Sequence, residues 1–180
     1  MAKSTGRIVF RAGEATVFAK EGQATDAMPE ILIGAVDGPV GQAFAAMMGQ
    51  SAGHTRMFAI RACNQMVRPV TMMVPKVTIK SSATANLFGG VVQAATADAI
   101  VDCVIEGILP KDQADDLCII VMVWIDPACV ADPNRDDADL YRTNYEATKI
   151  AVGRAMRGEP TLDQLIANRH KIKHELYAAE

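Results

Sequence analysis

"LCIIVMVWID", residues 117–126, is apolar at every position until Asp126. An uninterrupted run of this kind marks a strand buried on both faces, and it predicts the central strand of a sheet covered by helices. Upstream, "EILIGAVDG" (30–38) ends on a D-G turn and predicts a second strand, and "PVGQAFAAMMGQ" (39–50) predicts a short helix. "GRIVFRAGEATVFA" (6–19) alternates, breaks at Gly13 and predicts one or two short strands. "TRMFAIRA" (55–62) and "VTMMVPKVTI" (70–79) predict two more, with Pro75 pointing to an edge or a bulge.

Between about Gly90 and Gly107 the spacing turns helical, with Val92, Ala95, Ala99 and Cys103 on one stripe and Asp98, Asp102 and Glu106 on another. "PKDQADDL" (110–117) predicts a short helical turn before the central strand. In "TNYEATKIAVGRAMRGEP" (143–160), Thr143 and Glu146 form a capping-box pattern, Lys149 and Arg154 suit the negative end, and Gly158 with Pro160 stops the helix. "TLDQLIANRHKIKHEL" (161–176) repeats the pattern with Thr161 and Gln164. The sum is an α/β or α+β fold, forming a single domain over 1–180 with a C-terminal helix beyond 161.

The formal charge of −3 gives no reason to expect nucleic acid or an anionic membrane. Half the residues are hydrophobic but only 5% aromatic, a finely packed core. Cys63, Cys103, Cys118 and Cys129 form no C-x-x-C and meet no histidine at ligand spacing. Neither a zinc site nor a disulfide framework is expected, and each thiol is expected to sit reduced among apolar neighbours in a cytoplasmic setting. "MAKSTGRIVF" has no apolar h-region, and no run is long enough to span a membrane.

"PKVTIK" (75–80) alternates, placing Lys76, Thr78 and Lys80 on one strand face and Val77 and Ile79 on the other. The pattern suits either a half-wet sheet or a cation and a hydroxyl aimed at an anionic or amide-bearing ligand. "FGGVVQ" (88–93) resembles a loop feeding a helix N-terminus, a place to hold a polar ligand or simply a turn. It matches neither the dinucleotide nor the P-loop pattern. His54 lies in "SAGHT", and His170 and His174 stand i,i+4 on the last predicted helix, more simply a solvated pair than metal ligands. "DPNRDDADLY" (132–141) reads as a polar loop without the calcium pattern. No metal is expected. "TDAMPEILIG" (25–34) sets Glu30 at the mouth of a strand, with Pro29 pre-setting an extended approach.

"TNYEATKIAVGRAMRGEP", with "PKVTI", "EGILPKDQADDL" and the opening "GEA", resembles the formaldehyde-activating enzyme family, the 5,6,7,8-tetrahydromethanopterin hydro-lyases. The likeness runs from about Gly13 to Pro160. It implies an enzyme of one-carbon metabolism that condenses formaldehyde with tetrahydromethanopterin as co-substrate, giving methylene-tetrahydromethanopterin and water. No metal and no tightly bound cofactor is implied. It further implies a compact two-layer sandwich of a mixed sheet packed by helices with its core at about 13–160, a left-handed βαβ crossover, an exception to the usual hand, and homopentamers with pterin sites between subunits. Position by position, the resemblance puts substrate-binding roles on Glu30, Phe58, Lys76, Thr78 and Gln93, the last after a one-residue insertion within "FGGVVQ". Phe58 stands for a smaller leucine and is expected to narrow the pocket or stack on the pterin.

The family's histidine, its proposed acid, falls on Met28, and no histidine occurs in the first 53 residues. A thioether moves no proton at neutral pH. Three expectations follow: an enzyme of reduced activity, in which Glu30 supplies the carboxylate and, with a pKa raised by burial beside Met28, Pro29 and Ile31, the proton; a non-catalytic paralogue that binds a pterin, an aldehyde or an active homologue with which it co-assembles; or, resting on Phe58 and the altered loop, a related enzyme acting on another aldehyde or another pterin.

Overall fold

The structure, a computed structural model, describes residues 6–50, 56–172 and 174. Strands β1 (Arg11–Glu14), β2 (Glu30–Ala35), β3 (Met57–Phe58), β4 (Val70–Pro75) and β5 (Leu117–Val123) form one mixed sheet in the order β1-β2-β5-β4-β3. β5 is central, antiparallel to β2 and parallel to β4. Its continuous apolar run follows from that place, since both of its faces are covered. Ile119, Val121 and Val123 pack under α3 (Gln93–Ile105) and α5 (Asp137–Arg157), while Cys118 and Ile120 pack under α1 (Pro39–Met48).

The fold is therefore α/β as expected, with a difference in layering. α1 lies on the opposite face of the sheet from α3 and α5, so the sandwich carries a partial third layer. α1 is only ten residues long and leaves that face half covered: Leu32, Val74 and Met122 stay partly exposed. β1 reaches α5 by close approach. A Cβ on Gly13 would lie 2.3 Å from the Ala151 carbonyl oxygen and 2.8 Å from the Ala155 nitrogen, so only glycine lets this edge strand seat against the helix.

Several local expectations are corrected. The strand predicted over 55–62 forms a ladder with β4 at Met57–Phe58; beyond it Ala59 donates to the Thr71 carbonyl and Ile60 bridges back to Met66, because the chain turns at Arg61–Gln65 with Asn64 in the left-handed region (φ 64°). β4 stops at Pro75, and residues 76–80 leave the sheet after Lys76 donates to the Val123 carbonyl. The Pro75 nitrogen consequently faces the β3 side, where β3 pairs only Met72 and Met73, and no ladder bond is lost. α5 begins six residues ahead of Thr143: Asp136 caps it by accepting from the Ala138 and Asp139 amides. Asp137 to Tyr141 are thus helix rather than loop, and Thr143 instead donates to the Thr25 carbonyl at 2.5 Å. The Thr161–Gln164 capping box is present, but α6 (Leu162–Asn168) ends before His170 and His174, which share no helix face.

The helix through "FGGVVQ" is continuous rather than freshly started. α2 (Ser82–Leu87), capped by Ser81, runs through a π turn at Phe88–Val92 into α3. Gly90 sits at φ −114°, ψ −106°, outside helical geometry. A π turn holds one residue more than an α turn, and the α-helical stripe resumes beyond it. Val92, Ala95, Ala99 and Cys103 are all fully buried as the spacing predicts. The stretch Ser82–Ile105 is long and apolar enough to cross a membrane, but here it is the core helix beneath α5.

The second stripe of α3 meets α5 rung by rung. The Tyr141 hydroxyl donates to Asp98 at 2.7 Å, the Tyr145 hydroxyl to Asp102 at 2.6 Å, and the Lys149 ammonium to Glu106 at 2.5 Å. The rungs ascend together, so the helices run parallel and locked in register. Burial and the hydrogen bond to Asp98 push the Tyr141 phenol up to about 12. The hydrogen bond to Asp102 and burial raise Tyr145, and the bond to Glu106 raises Lys149.

Candidate functional site

β2 alternates, so Ile31 and Ile33 face the α3–α5 core and Glu30 and Leu32 face the α1 side. The extended pairing continues upstream, with Ala15 donating to the Pro29 carbonyl and Val17 bridged to Ala27. Ala27 and Pro29 are buried, and half-buried Met28 falls on the same side as Glu30. The sheet brings the start of β2 beside the ends of β5 and β4, since Glu30 is opposite Met122, which is opposite Val74. Lys76, just past β4, donates from Nζ to Glu30 Oε1 at 2.9 Å. Two of the expected residues thus meet directly, 46 positions apart in the chain.

Glu30 is not buried: its side chain is 51% exposed and that of Lys76 25%. The apolar neighbours Pro29 and Ile31 point to the other side of the strand, so the burial expected around Glu30 is not there. Around Glu30 lies a cavity of about 390 Å³ lined also by Glu14, Leu32, Met122, Glu159 and Pro160. Each carboxylate there has its own cation, Glu14 with Arg154 at 2.8 Å and Glu159 with Arg157 at 2.8 Å. Glu14 and Glu159 escaped the sequence reading, although both stand in quoted motifs, "GEA" and "GEP"; nothing local signalled that the two would converge.

Phe58 also faces the α1 side, but its ring stacks on Phe44 of α1, with centroids 6.1 Å apart and planes at 25°. One face of Phe58 is therefore occupied within the chain. Gln93 opens α3, across the sheet, and its Nε2 donates to the Phe58 carbonyl at 2.7 Å; it holds the β3 backbone instead of pointing at Glu30. Thr78 separates from Lys76. It lines, with Lys80, Thr84, Ile125 and Pro127, a different groove of about 420 Å³. The chain bends out of the sheet after β4, so the period-two alternation of "PKVTIK" does not aim these side chains at one ligand.

The approach to Met28 is held by the start of α5. Asp139, buried, accepts from the Lys20 amide at 3.1 Å and from the Thr25 hydroxyl, and is bridged by Arg142 at 2.8 Å. Burial alone would raise this carboxyl; the bonds from Thr25, Lys20 and Arg142 outweigh it and hold it low. Cys103, Cys118 and Cys129 are buried free thiols, and desolvation lifts Cys103 to about 12 and Cys129 to about 11. Cys63, by contrast, is exposed in the turn after β3. Among the described residues no cluster of His, Cys, Asp and Glu could hold a metal ion, and His54 lies outside them.

The fold and this cluster define an α/β protein with a charge-paired polar site at one end of its sheet. A family model described as formaldehyde-activating enzyme (Fae) matches residues 12–177. A bifunctional enzyme Fae/Hps from Methanococcoides burtonii is 44% identical over 146 residues, 81% of this chain and 36% of its own length. Another from Methanothrix thermoacetophila is 42% identical over 167 residues, covering 92% and 41%. A 5,6,7,8-tetrahydromethanopterin hydro-lyase from Methanosarcina barkeri is 40% identical over 146 residues, covering 81% and 79%. The chain belongs to the formaldehyde-activating enzyme family. It spans about two fifths of the length of the bifunctional relatives.

Proposed function

We propose that this protein condenses formaldehyde with tetrahydromethanopterin, at a rate reduced by the absence of a histidine beside Glu30. The carrying observation is the Glu30–Lys76 pair on the half-open sheet face, with Met28 on the same side. Addition of a pterin amine to the aldehyde gives a carbinolamine. Glu30 takes the amine proton and returns it to the hydroxyl, which leaves as water; the second nitrogen then attacks the iminium carbon, closes the ring and loses its proton. Lys76 holds the developing negative oxygen, as a fixed cation stabilises charge in a transition state. At neutral pH a carboxyl group in general is almost always already ionised and seldom has a proton to give, whereas an imidazole titrates close to that pH. The reaction needs no metal and no bound cofactor, tetrahydromethanopterin being a co-substrate.

Phe58, Gln93 and Thr78 belong to this site in two ways. Gln93 sets the backbone of Phe58, whose free ring face meets the pterin, and Thr78 serves from a neighbouring copy or after rearrangement on binding. The scatter of the five positions over one chain supports a homo-oligomer, a pentamer on the family resemblance, with sites completed between subunits. Buried reduced thiols support a cytoplasmic setting.

Met28 also favours a second reading, a non-catalytic paralogue that binds a pterin, an aldehyde or an active homologue. The deciding experiment mixes purified protein, formaldehyde and tetrahydromethanopterin and follows adduct formation against the spontaneous rate. Acceleration lost in Glu30→Gln supports the enzyme. Pterin binding with no acceleration leaves the binding protein.

A further inference from the structure

α1 reaches across the sheet from β2 toward β3. Val40 is fully buried and seats on Gly34 of β2, where a Cβ would lie 2.7 Å from its Cγ2. Phe44, four residues on and so on the same helix stripe, stacks on Phe58 at the opposite edge. Phe58 is thereby held twice, its carbonyl by Gln93 and its ring by Phe44. The 6.1 Å between centroids and the 25° between planes fall within the range of favourable aromatic pairs. Phe58 is still 36% exposed, so its ring is fixed without being enclosed.

Beside that pair the strand register lays out a flat apolar strip. Phe58 is opposite Met72, Val74 follows Met72 on the same face of β4, Met122 is opposite Val74, and Glu30 is opposite Met122. Val74 and Met122 are only half-buried, at the margin of α1. From β3 to β2 the strip is three strand spacings wide, about 14 Å. An aromatic wall stands at one end and the Glu30–Lys76 ion pair at the other. An aliphatic ligand would use the floor alone. A flat ring system with nitrogens on its edge uses the floor, the wall and the charged pair together.

We propose that Phe44 is a positioning residue for the pterin: by fixing the Phe58 ring it sets the wall of a seat, floored by Val74 and Met122, on which the pterin ring lies flat with its reacting nitrogens toward Glu30 and Lys76. Phe44 acts through Phe58 and not through the ligand. A leucine in its place keeps an apolar side chain on α1 but offers no ring to stack on. Phe58 is then free to sample other rotamers, and binding must order it each time, at a cost in affinity. The proposal rests on the pterin reading above, and on binding rather than on catalysis.

Isothermal titration calorimetry of the full chain with tetrahydromethanopterin, without formaldehyde, tests this. Phe44→Leu is expected to raise Kd roughly 2- to 12-fold, the worth of an aromatic pair, and Phe44→Tyr, which keeps a ring, to bind as the parent does. Adding Phe44→Leu to Phe58→Leu should change Kd no further, because the wall is already gone. Thermal melts accompany each titration: a purely structural Phe44 would lower the melting temperature and the fraction that binds, but leave the Kd of the folded molecules unchanged. Where adduct formation is accelerated, KM for the pterin should rise in Phe44→Leu by more than kcat falls. Phe44→Met takes the place of the leucine variant if that one does not fold. Parental Kd in a folded Phe44→Leu or Phe44→Met variant, a Phe44→Tyr variant as weak as Phe44→Leu, or full additivity with Phe58→Leu would overturn the proposal. A parent that binds no pterin would overturn the reading on which it rests, and the proposal with it.

Discussion

Met28→His asks whether one missing proton donor limits the chemistry. Met28 is half-buried and on the same side of the extended chain as Glu30, two residues away, which places the two Cα atoms about 7 Å apart. An imidazole there reaches the space above Glu30 and Lys76 without entering the core. Glu30 favours its protonated form and Lys76 disfavours it, and the two are themselves paired at 2.9 Å. Their influences largely cancel, leaving a pKa of about 6.5 and roughly a quarter of the molecules protonated at pH 7. A positioned general acid contributes about 10²–10⁴-fold. A quarter of that is roughly 25- to 2,500-fold in kcat.

The assay is the same adduct formation, corrected for the spontaneous rate and run from about pH 5.5 to 8 across the imidazole's range. The histidine variant should gain a limb that falls as pH rises through about 6.5, absent from the parent. Pterin binding should change little. A folded variant that binds pterin as the parent does, with less than about a threefold gain and no new limb, would refute the assignment of Met28 to the acid's place; the gain worked above rests on the acid's ordinary contribution.

Gly13→Ala should destabilise the fold by about 1–3 kcal/mol in urea titration, because the new Cβ meets helix backbone at 2.3 Å; a cost under about 0.5 kcal/mol would deny the close packing of β1 on α5. Tyr145→Phe removes the bond to Asp102 and should cost about 1.5–3 kcal/mol, whereas the same change at an unengaged surface tyrosine would cost almost nothing. Tyr141 is held at about 12 in the folded chain, above the ordinary value of 10. Its contribution is therefore fully present below pH 10 and lost as pH rises toward 12. Denaturation midpoints followed through that window should fall less steeply for Tyr141→Phe than for the parent, and equal slopes would rule the ladder out as the cause.

The sheet was legible where a signal is local and repeated. The apolar run of β5, the stripe of α3 and the Thr161–Gln164 cap each state their structure within a few residues. What stayed hidden depends on partners distant in the chain. Thr143 looks like a helix cap beside Glu146, but Asp136 captures the first amides and Thr143 is left to bond Thr25. "PKVTIK" alternates in exposure as a strand would, yet β4 ends when β5 has no more backbone to offer. At the candidate site, the Glu30–Lys76 pairing requires knowing that β2 and β4 flank β5 from opposite sides, and neither segment encodes its neighbour.

The N-Y-E-A-T-K block illustrates how a recognisable motif need not be a reactive one. Tyr145 and Lys149 are consumed by Asp102 and Glu106 of α3, Asn144 by the Leu140 carbonyl, and Ala147 and Thr148 are buried. None of these lines the Glu30 cavity. Their work is to fix α3 against α5 in rotation and height. α3 carries Gln93, which holds Phe58; α5 carries Asp139 and Arg142, which hold the segment leading to Met28 and Glu30. Slippage by one turn between the two helices would shift Phe58 relative to Glu30 by about 5 Å, more than a hydrogen bond tolerates. The role of the motif thus lies in a parallel helix pair whose register sets the distance between Phe58 and Glu30.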